Sequence, residues 1–226
     1  MAPPPPMNPL IFSSELLFTI IAVVFCFIIY FKTREIYKLT KYKGIKYFRG
    51  AFLFFGLSYL LRFIFSLLMF SSMTFRFFLS REMFALLFIL PLGYFSTVGI
   101  LYLIFGTIWK RFNNRLLLIL GHVIAVFLSV ISFVTRSHIM LLYLQSILLV
   151  IAVILSFFVH RKGVPVKEKK MTGMKALYLL ISAFWLINLW VIDTRHPFPP
   201  WVEMLFQAIS LAVFITIYYK VSKWLK

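Results

Sequence analysis

Seven side chains set in otherwise apolar stretches have the chemistry to recognise a small polar solute. Arg62 carries a planar guanidinium whose fork matches a carboxylate or phosphate. Glu15 and Glu203 supply opposite charge, Gln145, Asn188 and Gln207 supply amides that donate and accept, and Trp185 supplies an indole N–H. Helical spacing groups several of these with each other and with hydroxyls. Ser58, Arg62 and Ser66 recur at i, i+4 and i+8, and Glu203, Gln207 and Ser210 at i, i+4 and i+7. Glu15 and Thr19 form a third pair one turn apart, and Trp185 and Asn188 a fourth. Lipid offers such groups no partner, so they face the interior of a bundle. These seven residues are the candidate ligand-binding set, with Arg62 as a cationic anchor held by Glu15 or Glu203. The competing reading is a structural ion pair with interhelical hydrogen bonds, which hold many membrane bundles together.

Other chemistries fail on residue type or placement. A retinal Schiff base needs a lysine deep in the last apolar segment, where only Lys220 occurs, at its very end. Zinc or haem needs histidines that converge, whereas His122, His138, His160 and His196 fall at different depths. His122 alone reads as an interhelical hydrogen-bond partner. Asp193 and His196 form the nearest approach to an acid/base couple, but the proline-rich stretch HPFPPW that begins at His196 makes them a loop. No H-E-x-x-H, G-x-S-x-G or Gly-rich phosphate loop is present. Cys26 is the single cysteine, which rules out an intrachain disulfide. The expectation is therefore no catalytic residue, no metal ligand, no cofactor and no enzymatic activity.

The elements that would position these groups follow from hydropathy. The composition is 62% hydrophobic and 13% charged, far more apolar than a soluble domain. A water-exposed surface could not be built from it. Apolar segments fall at 10–31, 47–70, 82–109, 116–134, 139–159, 176–192 and 202–219. A crossing of the hydrocarbon takes about 20 apolar residues. The expected fold is thus an all-α integral membrane protein, a seven-transmembrane helical bundle forming one domain over residues 1–226. Residues 1–9 form a short leader with Pro3 to Pro6. That leader has no basic region, and Lys32 and Arg34 follow the first segment, so it does not read as a cleaved signal.

The net charge of +18 has a direction. Nineteen of the twenty-four Lys and Arg residues fall after the first, third, fifth and seventh segments, and Arg62 lies within one. The positive-inside rule then predicts an N-terminus outside and a C-terminus in the cytosol, in the plasma membrane. The basic connections are expected to meet anionic lipid headgroups and a cytosolic or membrane protein partner; nucleic acid is not needed to explain them. In this orientation the polar set lies in the outer half of the bundle and lines an outward-facing cavity. Pro91 and Gly93, just before Ser96 and Thr97, predict a kink and hinge in the third segment. Glu82-Met83-Phe84 and Glu203-Met204-Leu205-Phe206 open the third and seventh segments alike, a weak match to a 3+1+3 parallel repeat. Functionally, the expectation is a stand-alone receptor or sensor module for a small polar or anionic ligand. A small transporter or channel subunit and a ligand-free structural or assembly protein are the alternatives.

Overall fold

The structure, a computed structural model, describes residues 9–75, 83, 85–108, 115–135, 138–158, 177–188 and 199–223. All described elements are helical. In chain order they are α1 (Pro9–Thr40), α2 (Lys43–Phe75), a π-helical turn (Ala85–Ile89) that runs into α3 (Leu90–Ile108), α4 (Arg115–Thr135), α5 (His138–Phe158), α6 (Leu177–Asn188) and α7 (Pro200–Lys223). Five of them are long and apolar enough to cross a membrane: Phe12–Thr40, Lys43–Ser72, Leu86–Ile108, Leu118–Thr135 and Trp201–Lys223. α5 and α6 contribute shorter apolar stretches, Ile139–Leu155 and Leu177–Asn188. The chain has the build of a multi-pass helical membrane protein. The Pro-rich leader, Glu82, the basic stretch 161–175 and the Asp193–His196 pair lie outside the described residues.

The first two helices are longer than the apolar segments that seed them. Hydropathy ends near Phe31, yet α1 continues through KTREIYKLT to Thr40, because that run holds no glycine or proline to stop it. It ends at Lys41, whose φ of 53° is left-handed and whose N–H reaches the Tyr37 carbonyl at 2.9 Å, the usual way a helix C-terminus closes. α2 begins two residues later, so most of the first basic connection is helical.

Cross-helix contacts give each helix a direction. Glu15 and Phe18 near the start of α1 meet Arg62 and Tyr59 late in α2, so these two helices are antiparallel. Phe65 meets Phe88 while Tyr47 meets Phe105, which reverses α3 against α2. Tyr94 and Gly93 of α3 face His122 and Ser129 of α4, and Gln145 of α5 reaches Ser96. α6 follows α2, with Tyr178 bonded to the Gly44 carbonyl at 3.2 Å and Trp185 beside Tyr59. α7 follows α1, with Phe214 against Phe25 and Tyr218 against Lys32. Successive helices thus alternate in direction. Among the described residues every Lys and Arg except Arg62 gathers at one end of the bundle, where α1 and α7 finish and α2 starts.

α3 sits at the centre, buried almost continuously from Ser96 to Gly106, and packs on α2, α4 and α5. Its glycines let aromatic rings from neighbours lie directly on its backbone, the close approach that membrane helices use in place of a hydrophobic drive. At Gly99 the Phe55 ring occupies the space where a Cβ would project. The outward face of α4 is apolar at helical period, with Ile119, Val123, Val126, Phe127, Val130 and Val134 exposed. A continuous face of that kind suits lipid rather than water. Gly99→Ala should force Phe55 off its site and cost about 1–3 kcal/mol, the usual scale of overpacking. A lowered melting temperature in detergent, with unchanged helix content, is the expected readout.

Candidate functional site

The face Ser58, Arg62, Ser66 turns inward as its spacing requires, with both serines 5% exposed and the Arg62 side chain 13% exposed. Arg62 donates from Nε and Nη2 to one oxygen of Glu15, Oε1, at 3.1 and 2.9 Å. This is a single-oxygen grip rather than a fork on both oxygens. It leaves Nη1 free to point elsewhere. That nitrogen is buried and has no hydrogen-bond partner.

Two further buried donors are in the same condition. Among the described residues, the side-chain nitrogens and oxygens that are buried without a partner are Tyr59 Oη, Arg62 Nη1 and Trp185 Nε1. Tyr59 and Trp185 are each 2% exposed. All three residues line one cavity of about 60 Å³, walled elsewhere by Ile89, Leu92, Leu141 and Leu142. Leaving one such group unsatisfied costs about 1–3 kcal/mol, so three around one hollow is a costly arrangement for a ligand-free fold.

Packing holds these donors in place. The Phe55 ring stacks on the Trp185 indole with centroids 4.1 Å apart, and Phe55 is itself seated on Gly99. Tyr59 meets the same indole edge to face at 5.7 Å, and Phe18 backs it at 6.0 Å. On the opposite wall Gln145 Nε2 donates to Ser96 Oγ at 2.7 Å and to Thr97 Oγ1 at 3.0 Å. Ser96 in turn donates to the Leu92 and Gly93 carbonyls. The Gln145 amide is therefore engaged in tying α5 to α3.

Of the seven residues singled out by sequence, the structure brings Arg62, Gln145 and Trp185 to the cavity. Glu15 holds the far side of the Arg62 guanidinium. Glu203 stands in the first turn of α7, within electrostatic reach of both Glu15 and Arg62. Asn188 faces away, donating to Ser210 Oγ at 3.0 Å and to the Phe184 carbonyl at 2.8 Å, which ties α6 to α7. Gln207 is buried on the same side of α7 as Ser210. The seven are thus divided between this cavity, the α1–α2 ion pair and the α6–α7 contact, because i, i+4 spacing places residues on a face without saying which neighbour that face meets. Tyr59 was missed by the sequence reading, since one tyrosine among eleven carries no signal; its position three residues before Arg62 is the only clue.

The helix irregularity expected at Pro91 appears one turn earlier, as the π turn Ala85–Ile89. Proline has no N–H for its i−4 carbonyl and its ring crowds that turn; π turns are a common accommodation. Gly93 is a contact point rather than a free joint: a Cβ there would lie 3.0 Å from Leu141 and 3.2 Å from Ser129 Oγ. His122 Nδ1 shares a 2.9 Å hydrogen bond with the Tyr94 hydroxyl, as an interhelical partner would.

The fold and the polar interior define the class as a multi-pass helical membrane protein. No family model matches the chain, and no solved structure matches it. An uncharacterized protein of Archaeoglobus fulgidus is 30% identical over 232 residues, covering 97% of this chain and 96% of that protein. The chain belongs to the same family as that protein.

Two substitutions separate the roles of the polar groups. Glu15→Ala strips Arg62 of its partner and should destabilise the protein by about 3 kcal/mol or more. Tyr59→Phe removes a donor that has no partner, and should leave the melting temperature of the ligand-free protein unchanged or raised. Thermal unfolding in detergent, without added anions, checks both.

Proposed function

We propose that this chain is a receptor-like membrane protein that binds a small anionic ligand in the cavity beside Arg62. The observation that carries this reading is that three residues with an unpaired buried donor, one of them cationic, line a single hollow. Each can donate, and together they ask for an acceptor-rich occupant. A purely structural role accounts for Glu15–Arg62 and Asn188–Ser210 but leaves those three donors unexplained.

The alternating helix directions support seven crossings, with the two shorter apolar helices spanning alongside the five long ones. The basic end then faces the cytosol by the positive-inside rule, and the cavity and Glu15 lie toward the outside. Lys32 is held at the basic end by Tyr218 and Ser222 at 3.0 and 2.9 Å. The more exposed Arg34, Lys38 and Lys41 beside it are left to meet anionic headgroups or a cytosolic partner. α6 provides a physical route between the ends: it carries Trp185 at the cavity and, through Tyr178, the bond to Gly44 at the α1–α2 turn. A ligand that moves Trp185 would load that bond.

Binding is tested by unfolding the purified protein across a panel of small anions. An anion at a hundred times its dissociation constant should stabilise by about 2.7 kcal/mol. Tyr59→Phe, which keeps the ring and loses only the hydroxyl, should lose much of that gain while folding normally. An absence of stabilisation by every anion would remove the receptor reading. Flux of the stabilising anion in proteoliposomes should be absent, and its presence would make the protein a transporter. Reporter fusions should place the C-terminus in the cytosol.

A further inference from the structure

The basic end of the bundle carries a second candidate site, on the seam between α1 and α2. Resting on the headgroup contact proposed for that end, and not on the cavity beside Arg62, we infer that this seam holds one anionic phospholipid of the adjoining leaflet, with its phosphate on Arg49. The Arg49 guanidinium carbon lies 5.3 Å from the Tyr30 ring centroid and 5.6 Å from that of Tyr37. Such cation–π contacts place the group without using its N–H donors. Arg49 is half-buried. Among the described residues no hydrogen bond or ion pair holds it, and none of its nitrogens is buried without a partner. Its donors therefore stay reachable from the surface, which sets Arg49 apart from Arg62.

The neighbouring side chains suit an anion. Arg34 stands one turn from both tyrosines on the same stripe of α1, and Lys46 one turn before Arg49 on α2; both are exposed. Glu35, the one acid at this end among the described residues, pairs with none of them. Gly56, two turns beyond Arg49, meets Cys26 and Phe27, so the Arg49 face of α2 lies on α1. Depth selects a lipid. Phe31 ends one apolar segment and Tyr47 begins the next, which puts Arg49 at the level of the headgroups, where tyrosines also gather. Further in, the outer surfaces of the same two helices are aliphatic, with Ile20 and Val24 of α1 and Ile64 of α2 exposed. A phosphate takes two parallel N–H bonds from a guanidinium, and the acyl chains would lie on those aliphatic side chains. A free phosphate would leave them without contacts.

The full chain, purified in detergent, is unfolded thermally with added short-chain phosphatidylglycerol, short-chain phosphatidylcholine, glycerol phosphate or inorganic phosphate at matched ionic strength. Phosphatidylglycerol should raise the melting temperature by several degrees, and phosphatidylcholine should not. Arg49→Gln and Arg34→Gln should each weaken the phosphatidylglycerol response about tenfold, the worth of one hydrogen bond to a charged group. Arg49→Lys keeps the charge but loses the planar fork, and should recover only part of it. Arg34 is exposed, so its variant decides the matter even where Arg49→Gln unfolds the protein. Lys223→Gln, on the exposed end of α7, should leave the response unchanged. Equal weakening by Lys223→Gln would make the attraction a diffuse one, overturning the site and leaving the headgroup contact standing. A response to glycerol phosphate or inorganic phosphate as large as that to phosphatidylglycerol, and lost in Arg34→Gln, would overturn the lipid assignment. No response to phosphatidylglycerol would overturn both the site and the headgroup contact.

Discussion

A guanidinium has five N–H donors and no acceptor, and hydrocarbon offers it nothing to bond. Wherever Arg62 sits in this bundle, each donor that the protein does not pair is left unsatisfied. Glu15 takes two of them on one oxygen, which sets α1 against α2 in depth and rotation. Because both bonds leave from the Nε–Nη2 edge, Nη1 lies on the side away from Glu15. Tyr59 and Trp185 carry the other two unpaired buried donors and line the same cavity as Arg62. Structure and candidate function meet in this one side chain.

The rest of the fold holds that geometry still. α3 is buried along most of its length, and its glycines let rings from α2 and α6 lie on its backbone. Phe55 is wedged between Gly99 and the Trp185 indole, so the indole N–H is aimed by packing rather than by a hydrogen bond of its own. The Gln145–Ser96–Thr97 cluster does the same on the opposite wall, joining α5 to α3. The three donors are held by ring and ion-pair contacts at the cost of leaving each without a hydrogen-bond partner.

The inward orientation of Ser58, Arg62 and Ser66 was legible, because a 3.6-residue period puts them on one face and lipid excludes that face from the outside. The partner of Arg62 was legible as far as Glu15 or Glu203, since the chain has only six acidic residues, and the structure pairs it with Glu15. The division of the polar set was not. Asn188 lies one turn from Trp185, yet its amide turns to α7 while the indole turns to α2. A single face of α6 meets two neighbours, and periodicity cannot say which residue meets which. Tyr59 was invisible for a related reason. A tyrosine is unremarkable in a membrane segment until its hydroxyl is seen to have no partner.

The sequence by itself determined that the chain is helical and made for a membrane, and that nineteen of its twenty-four basic residues belong on one side. Those follow from hydropathy, period and charge, which are sums over local residues. It did not determine that α1 continues helical well beyond its apolar segment, nor that the break before Pro91 takes the form of a π turn, because hydropathy reports solvent preference rather than backbone continuity. Only the tertiary structure decided which donors converge and which are left over. Unpaired groups are defined by what their neighbours lack, and neighbours across a bundle are set by helix rotation and ring packing among segments far apart in the chain.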